Sequence, residues 1–415
     1  MDFSAEELRT RRSRFASAMN SRCPDWDTAI FIDSVNQYYF TGTMQDGILF
    51  IRKDEGSKRG SRLLYGVRRS FARANIEAPL FQDPGEESEE LLGMASYRDL
   101  EGRIGRDLGR LYIEGGAMPA AGLERLGKYF SFSSPAGRDG PGFLDTVIRG
   151  VRSVKSEAEI SLIRGSGEAH RILLEERVPA LLREGMSEAE FLGELAAEMY
   201  RLGYQGITRF HQTHAEMYFG QIGFGTNSLY PSLFDGPGGA KGDGPASPLS
   251  ADAERRLKKG DPVFVDVGFG IKGYHSDKTQ VYYFGCEPPA EFKKAHRFCL
   301  DMQKRLAEQL VPGAIPSKLY LDRVSNLSGE ELDCFMGVDN SHKVKFLGHG
   351  VGLNIDELPV IAKGFDEPLE ENMVLALEPK KGVPGIGLAG VEDTYIVKPG
   401  GGLCVTGGGR EIILV

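Results

Sequence analysis

The sequence has few of the features that mark secreted, membrane-bound or nucleic-acid-binding proteins. Its five cysteines are odd in number, far apart and without a Cys-x-x-Cys motif, which predicts reduced thiols instead of a disulfide framework or a zinc ribbon. No apolar run approaches the ~20 residues that span a bilayer, and the first residues lack the apolar centre of a signal peptide. The net charge of -9 disfavours nucleic acid and anionic membranes as partners. We therefore expect a cytoplasmic protein.

The length and composition are those of a globular enzyme with two domains. A chain of 415 residues with 41% hydrophobic residues exceeds one ordinary core. Arg9, Arg11, Arg12 and Arg14 alternate with apolar residues and predict a solvated helix face. Strands and helices alternate up to about residue 150, which predicts an α/β layer. The predicted strands are Ala29–Ile32, Gln37–Phe40, Gly47–Ile51, Leu63–Tyr65 and Leu111–Ile113, and the predicted helices are Arg68–Ala74 and Glu87–Gly93.

The second half begins with helices and ends with strands. The patterns Ser156-x-x-Glu159 and Ser187-x-x-Glu190 are capping boxes that each predict the start of a helix. The segment from Phe224 to Leu249 is rich in glycine and proline. Loops of that length are often functional, so we expect it to form a rim over a pocket, with a surface loop as the alternative.

One predicted hairpin carries two aspartates. Strands Val263–Phe269 and Tyr274–Phe284 flank a glycine-containing turn. If Ile271 and Lys272 form a two-residue turn, Asp266 and Asp277 are directly opposed, with Cβ atoms about 4.5–5.5 Å apart. Carboxylates this close repel each other unless a cation neutralises them.

A second carboxylate pair and a histidine complete the set. Glu378 and Glu392 lie symmetrically about Gly385, so a second hairpin could bring them together. His349 lies in Gly348-His349-Gly350-Val351-Gly352, where glycines leave room for a ligand beside the backbone. Each motif alone is common in proteins. Together, two carboxylate pairs and one imidazole predict a pocket for metal ions.

These segments resemble a known enzyme family. Asp266-Val-Gly, the run from Gly273 to Thr279, the glycine run around His349, Glu378-Pro379 and Glu392-Asp-Thr resemble the five signature segments of the pita-bread metallopeptidases. That family includes methionine aminopeptidase, prolidase, aminopeptidase P and creatinase, and this chain resembles the prolidase-like branch. The resemblance implies two α/β domains: a small creatinase-like N-terminal domain at 1–150, and a pita-bread catalytic domain at 151–415. The catalytic domain would have a curved, mostly antiparallel sheet flanked by helices.

The resemblance also implies a metal set and an activity. Two divalent ions (Mn²⁺, Co²⁺, Zn²⁺ or Fe²⁺) would be held by Asp266 on one side and His349 on the other, with Asp277 and Glu392 bridging them. Glu378 would bind the second ion and act as general base while a bridging hydroxide attacks the scissile carbonyl. The implied activity is that of an Xaa-Pro dipeptidase or aminopeptidase on a dipeptide or small peptide, in a homodimer. The alternatives are metal-dependent hydrolysis of a small non-peptide amide, and a non-catalytic binding module.

The chain departs from the family around these ligands. Proline-directed members carry histidines where this chain has Ser232, Lys345 and Asp356, and an arginine where it has Gly390. Those histidines donate hydrogen bonds to the reacting carbonyl, and losing one such donor typically costs ~10²–10³ in rate. A polar pair between Lys345 and Asp356 is one hypothesis for their replacement.

Substitute donors are also present. His275 lies two residues before Asp277 and should face the same side of the strand. His211 and His214 precede the glycine- and proline-rich segment. A lone histidine is more often structural than functional. The candidate catalytic residues are Glu378, Asp356, His275 and Lys345.

Overall fold

The chain divides into two units. The computed structural model describes residues 3–54, 56–57, 59–82, 89–137, 139–211, 216–408 and 411–415. Contacts between Cα atoms separate the unit Met1–Val151 from the unit Arg152–Val415. Among the helices in the described ranges, none combines the length and the apolarity that a membrane span requires. That the first unit is a creatinase-like domain remains a proposal.

The first unit is built on a mixed sheet, and its α/β character was predicted. Its strands are β1 (Thr28–Phe31), β2 (Gly47–Lys53), β3 (Ser61–Val67), β4 (Glu89–Gly93), β5 (Asp107–Ile113), β6 (Ser131–Ser133) and β7 (Gly142–Phe143). Their order is β4-β3-β2-β1-β5-β6, with β7 beside β5. The helices are α1 (Ala5–Arg22), α2 (Ser34–Thr41), α3 (Phe71–Glu77), α4 (Tyr97–Ile104), α5 (Ala120–Gly127) and α6 (Asp145–Ser153).

Two predicted elements of the first unit have the wrong type. The predicted strand 37–40 lies inside α2, whose start is capped by the Asp33 carboxylate and whose end is Gly42 in the left-handed conformation (φ 78°). Both caps favour helix over the β propensity of the aromatic residues between them. The predicted helix Glu87–Gly93 is strand β4 where it is described, because parallel pairing with β3 overrides the local preference. Its first two residues lie outside the described residues.

The prediction of a solvated arginine face on α1 is also wrong. The side chains of Arg9 and Arg12 are buried and both pair with Glu89, at 2.9 and 2.8 Å. Arg11 is buried as well and pairs with Glu7 at 2.8 Å. The acidic partner Glu89 lies 80 residues away from Arg9, so the local charge pattern gave no sign of it.

The second unit holds most of the remaining elements. Its helices are α7 (Glu157–Ile172), α8 (Val178–Leu181), α9 (Glu188–Arg201), α10 (Ala290–Ala307), α11 (Pro316–Val324) and α12 (Gly329–Leu332), and a π-helical segment, Leu173–Arg177, joins α7 to α8. The capping boxes predicted at Ser156 and Ser187 are both formed. The strands are β8 (Gly220–Phe224), β9 (Pro262–Ile271), β10 (Tyr274–Tyr283), β11 (Phe346–Gly350), β12 (Glu357–Ala362), β13 (Val374–Leu377), β14 (Lys380–Val383), β15 (Gly387–Gly390), β16 (Asp393–Ile396), β17 (Leu403–Cys404) and β18 (Ile413–Leu414).

These strands form two larger sheets and one separate hairpin. The orders are β18-β10-β9-β8 and β12-β11-β13-β16-β17, with β14 paired to β15. Val263, Val265 and Val267 of β9 belong to an apolar cluster with residues of α7 and α9. Because side chains alternate along a strand, Asp266 faces away from these helices. A bridge between Thr279 and Glu392 connects β10 to the residue just before β16.

Candidate metal centre

The hairpin β9–β10 brings two aspartates to one face. Lys272 and Gly273 form its turn, with φ of 50° and 92°, the positive values that a type I′ turn requires. Asp266 is therefore opposite Thr279 instead of Asp277, and the predicted direct pairing is wrong by two residues. A shift of two residues keeps every side chain on its face. Asp266 and Asp277 are thus diagonal neighbours on the same side of the sheet.

The second hairpin has the predicted register. The pairs in β13–β16 and β14–β15 follow one continuous alignment, in which Lys380 is opposite Gly390. That alignment places Glu378 opposite Glu392, so this prediction is confirmed. Both glutamates lie between the β13–β16 pairs and the β14–β15 pairs. Pro379 follows Glu378 and has no N–H to donate, so the ladder is interrupted at that residue.

His349 on β11 faces the carboxylates. Its Nδ1 donates to the Gly350 carbonyl at 3.2 Å, which leaves Nε2 as the free ligand atom. Nε2 lies 3.2 Å from Glu378 Oε1, 3.7 Å from Glu392 Oε1 and 3.9 Å from Asp277 Oδ2. The ligand atoms of Asp277, His349 and Glu392 all lie within 4.8 Å of one another.

The carboxylate of Asp266 is held by protein donors. The Thr279 hydroxyl donates to Asp266 Oδ1 at 2.7 Å and lies 3.1 Å from Glu392 Oε2. The Lys380 ammonium donates to Asp266 Oδ2 at 2.9 Å. All five predicted ligands therefore converge, but Asp266 stands at one edge of the group.

Sequence reasoning missed Lys380. Its Nζ lies 2.9 Å from Glu378 Oε2 and 2.7 Å from Glu392 Oε2, and its side chain is 1% exposed. The sequence could have indicated this contact, because Lys380 stands two residues after Glu378 and residues two apart on an extended strand share a face.

The charges of the centre shift the pKa values of its groups. Burial, with repulsion from Glu392, raises the pKa of Asp266 to about 6 and that of Asp277 well above its usual range. Burial also opposes ionisation of Glu378, but Lys380 and His349 lower the pKa of this carboxyl. The pKa of His349 is well above its usual range, since Glu378 and Glu392 outweigh burial. Excess negative charge thus attracts cations.

The residues fit a divalent ion. Carboxylate oxygens with one imidazole suit Zn²⁺, Mn²⁺, Fe²⁺ and Co²⁺. Glu392 Oε1 is buried and has no hydrogen-bond partner among the described residues, although it lies 3.7 Å from His349 Nε2. A buried carboxylate oxygen without a donor is costly unless a cation binds it.

The candidate pair Lys345–Asp356 is not formed. Among the ion pairs of the described chain, none joins these residues, and Lys345 is exposed. Asp356 Oδ1 instead accepts the backbone N–H of His211 at 2.6 Å, and burial raises the pKa of the Asp356 carboxyl. Lys345 precedes β11, and its side chain is exposed. It is therefore poorly placed to neutralise the Asp356 carboxylate, which already accepts a backbone N–H. Catalytic roles for Lys345 and Asp356 remain predictions.

His275 is buried and engaged on both sides of its ring. Nδ1 donates to the Gly352 carbonyl at 3.0 Å, and Nε2 accepts the N–H of Arg209 at 3.3 Å. Burial lowers the pKa of His275 to about 4, so the ring is neutral near pH 7. A substrate contact would have to displace one of these bonds, and the catalytic role of His275 remains a prediction. His214 lies outside the described residues.

Two further residues lie beside the centre. Gly238, in the predicted rim, approaches it so closely that an added Cβ would lie 3.6 Å from Asp266 Oδ2 and 2.1 Å from Gln221 Oε1. Gln221 is opposite Asp266 on β8. Its side-chain amide is buried and has no hydrogen-bond partner in the described part of the chain. Ser232 accepts only the N–H of Phe234 in the described contacts, at 3.3 Å.

Comparison with known proteins gives consistent matches. Residues 161–399 match the model of metallopeptidase family M24. An uncharacterized peptidase of Staphylococcus aureus (strain USA300) is 26% identical over 393 residues, which cover 94% of this chain and 96% of that protein. "Probable dipeptidase PepE" of Mycobacterium tuberculosis (strain CDC 1551 / Oshkosh) is 30% identical over 272 residues, covering 65% of this chain and 62% of that protein.

A solved structure confirms the predicted fold class. The Xaa-Pro dipeptidase from Bacillus anthracis superimposes with a TM-score of 0.75 at 21% identity, covering 98% of this chain and 100% of that chain.

Proposed function

The chain belongs to metallopeptidase family M24, and on this basis we propose that it hydrolyses Xaa-Pro dipeptides or the first bond of peptides with proline second. Membership implies divalent metal ions and a metallopeptidase activity. The observation that supports this function best is the convergence of Asp277, His349, Glu378 and Glu392 from two separate hairpins and β11.

We infer the roles of the residues from their positions and from the family resemblance. When bound, a divalent ion would acidify a water molecule and polarise the scissile carbonyl. Asp277, His349 and Glu392 would hold the ion. Glu378, whose pKa is lowered by Lys380 and His349 against the effect of burial, is suited to take the proton of the attacking water and return it to the leaving amine.

The finer form of the proposal comes from the family resemblance. The resemblance implies two ions, with Asp266 as a ligand of one of them and Asp277 and Glu392 shared, and a metal titration decides whether one ion or two bind. Which of Mn²⁺, Co²⁺, Zn²⁺ or Fe²⁺ binds is decided by availability, since ligands of this type accept each of them. A homodimer and a cytoplasmic location belong to the same proposal.

The names of the relatives support the substrate class. One relative is named a probable dipeptidase and one structural neighbour is an Xaa-Pro dipeptidase. Ser232 and Asp356 stand where proline-directed members carry histidines, so proline preference is the part of the proposal that most needs a direct assay.

A substrate panel tests the proposal. Chelated protein is reconstituted with each metal and given Xaa-Pro dipeptides, peptides with proline second, proline-free dipeptides and small acylamino compounds. We expect metal-dependent turnover of the proline substrates. Turnover of only proline-free peptides would refute the specificity, and turnover of only small amides would favour the non-peptide alternative. A chain without any metal-dependent turnover would be a binding module.

Glu378→Gln tests the general base. Replacing this carboxylate should lower kcat by ~10²–10⁴. Glu370→Gln is the matched control, because Glu370 is exposed and lies outside the centre. If Glu378→Gln retained full activity, another group would be the base.

A further inference from the structure

The Lys380 ammonium is enclosed by three carboxylates. It lies 2.9 Å from Asp266 Oδ2, 2.9 Å from Glu378 Oε2 and 2.7 Å from Glu392 Oε2. An ammonium group has three hydrogens, so these contacts use all of them. The lysine therefore holds one oxygen from each of three residues that the family resemblance assigns to metal ions.

Both oxygens of Asp266 already have a buried donor. Its Oδ2 accepts from Lys380, and its Oδ1 accepts from the Thr279 hydroxyl at 2.7 Å. An ion bound to Oδ2 would have to share that oxygen with the Lys380 ammonium, at the cost of repulsion between the two cations. The part of the centre around Asp266 is therefore built to receive the lysine.

The opposite side of the centre is arranged differently. Asp277 Oδ2, Glu378 Oε1 and Glu392 Oε1 lie 3.9, 3.2 and 3.7 Å from His349 Nε2. Ligand atoms about 2.0–2.2 Å from one metal ion are separated by about 3–4 Å. The ligand atoms of Asp277, His349 and Glu392 all lie within 4.8 Å of one another, so one cation fits among these three residues on the side of the centre away from Lys380.

The charge balance favours one ion. The four carboxylates carry four negative charges, to which Lys380 adds one positive charge and a single dication adds two. A second dication would make a buried pocket net positive and would compete with the ammonium for the same oxygens. Like charges this close in a buried site repel strongly.

The hairpin β14–β15 provides space for the Lys380 side chain. Gly390 is opposite Lys380, and a Cβ added to Gly390 would lie 2.7 Å from Lys380 Cα and 2.9 Å from its Cγ. A side chain at residue 390 would therefore displace the backbone and the side-chain stem of Lys380.

We propose that the centre binds one divalent ion, held by Asp277, His349 and Glu392, and that the Lys380 ammonium occupies the place of the second ion. This inference rests on the proposed function only in assuming that the centre binds metal. Lys380 would then supply a fixed positive charge without being a metal ligand.

Metal stoichiometry tests the proposal without an activity assay. Metal-free protein is titrated with Mn²⁺, the bound metal is measured by elemental analysis, and the EPR spectrum distinguishes an isolated Mn²⁺ ion from a coupled pair. We expect one ion per wild-type chain, one for Lys380→Arg and two for folded Lys380→Met. Lys381→Met is the matched control, since Lys381 bonds backbone carbonyls of Glu330 and Glu331, and it should bind one ion.

The outcomes of the metal titration either support or overturn the single-ion proposal. Two coupled ions in the wild-type chain would overturn the proposal even if the variants failed to fold, and so would a folded Lys380→Met chain that still bound one ion. A chain that bound no metal would refute both this proposal and the proposed function. One bound ion without peptide turnover would refute the function and support the single-ion centre.

Discussion

Replacing Lys278 with methionine should destabilise the second unit strongly. Lys278 Nζ lies 2.7 Å from Asp393 Oδ1 and 3.8 Å from Glu175 Oε1. Its side chain is 1% exposed and that of Asp393 is fully buried. Removing one partner of a buried ion pair leaves an uncompensated charge, at a cost of about 3–5 kcal/mol. Asp393 would keep its bonds from Thr406 at 2.8 Å and Gln303 at 3.2 Å, so we expect the lower end of that range.

The double variant Lys278→Met/Asp393→Asn separates the charge from the packing. An asparagine oxygen can still accept from Thr406, and no buried charge is left unpaired. Replacing both members of a buried ion pair with neutral residues is often close to neutral in free energy. The double variant should therefore lose less stability than the Lys278→Met single variant.

Urea unfolding with two probes measures these effects. Far-UV circular dichroism follows the whole chain, and hydrogen exchange of residues 274–283 and 393–396 reports on the strands that carry the pair. Trp26, the chain's single tryptophan, lies in the first unit, so its fluorescence alone would not report on this change. Lys293→Met is the control, because its pair with Glu287 is exposed and should contribute less than about 1 kcal/mol.

Two outcomes would refute this reasoning. One is a loss below about 1 kcal/mol for Lys278→Met, which would class the pair with surface salt bridges. The other is a double variant whose loss equals the sum of the two single losses, since residues that interact directly should not be additive.

Two more predictions concern other buried groups. Thr279→Val removes the hydroxyl that lies 3.1 Å from Oε2 of the proposed metal ligand Glu392 and should weaken metal binding about 10–100-fold, measured by titration of metal-free protein; unchanged affinity would show that this hydroxyl has no part in ordering the centre. In the first unit, burial raises the pKa of Glu114 to about 7 from its ordinary 4.5, although Asn36 and two backbone N–H groups donate to it. The folded state then holds the proton more tightly than the unfolded state, so stability should fall by up to about 3 kcal/mol as pH rises from about 4.5 past 7. Urea unfolding followed by Trp26 fluorescence at pH 5 and 8 measures this, Glu114→Gln should abolish the difference, and equal stability at both pH values in the wild type would contradict it.

Local sequence rules predicted the two hairpins better than they predicted contacts between residues far apart in the chain. The alignment about Gly385 followed from a symmetric pattern, and it placed Glu378 opposite Glu392 correctly. The turn at Lys272 and Gly273 was misplaced by one residue, because the predicted turn took in Ile271 instead of Gly273, although glycine adopts the positive φ of such a turn far more readily than isoleucine. That error moved Asp266 by two places along its partner strand but left it on the right face, and so did not affect the predicted centre.

What the sequence left out depends on contacts between distant segments. The partners of Arg9 and Arg12 could not be read from the chain, because Glu89 becomes their neighbour only when β4 joins the sheet. Lys380 was readable in principle from its parity with Glu378, but a lysine on an acidic face is usually interpreted as a solvated side chain. Only its three buried carboxylate contacts reveal the different role.

The close approach of Gly390 to Lys380 has an evolutionary consequence. The nearest atoms to a Cβ at residue 390 would be the Pro379 carbonyl oxygen at 2.6 Å and Lys380 Cα at 2.7 Å, so any side chain there meets backbone whatever residue stands at position 380. Aligned homologues that keep this hairpin geometry should therefore have glycine at this column, independently of the residue that faces it.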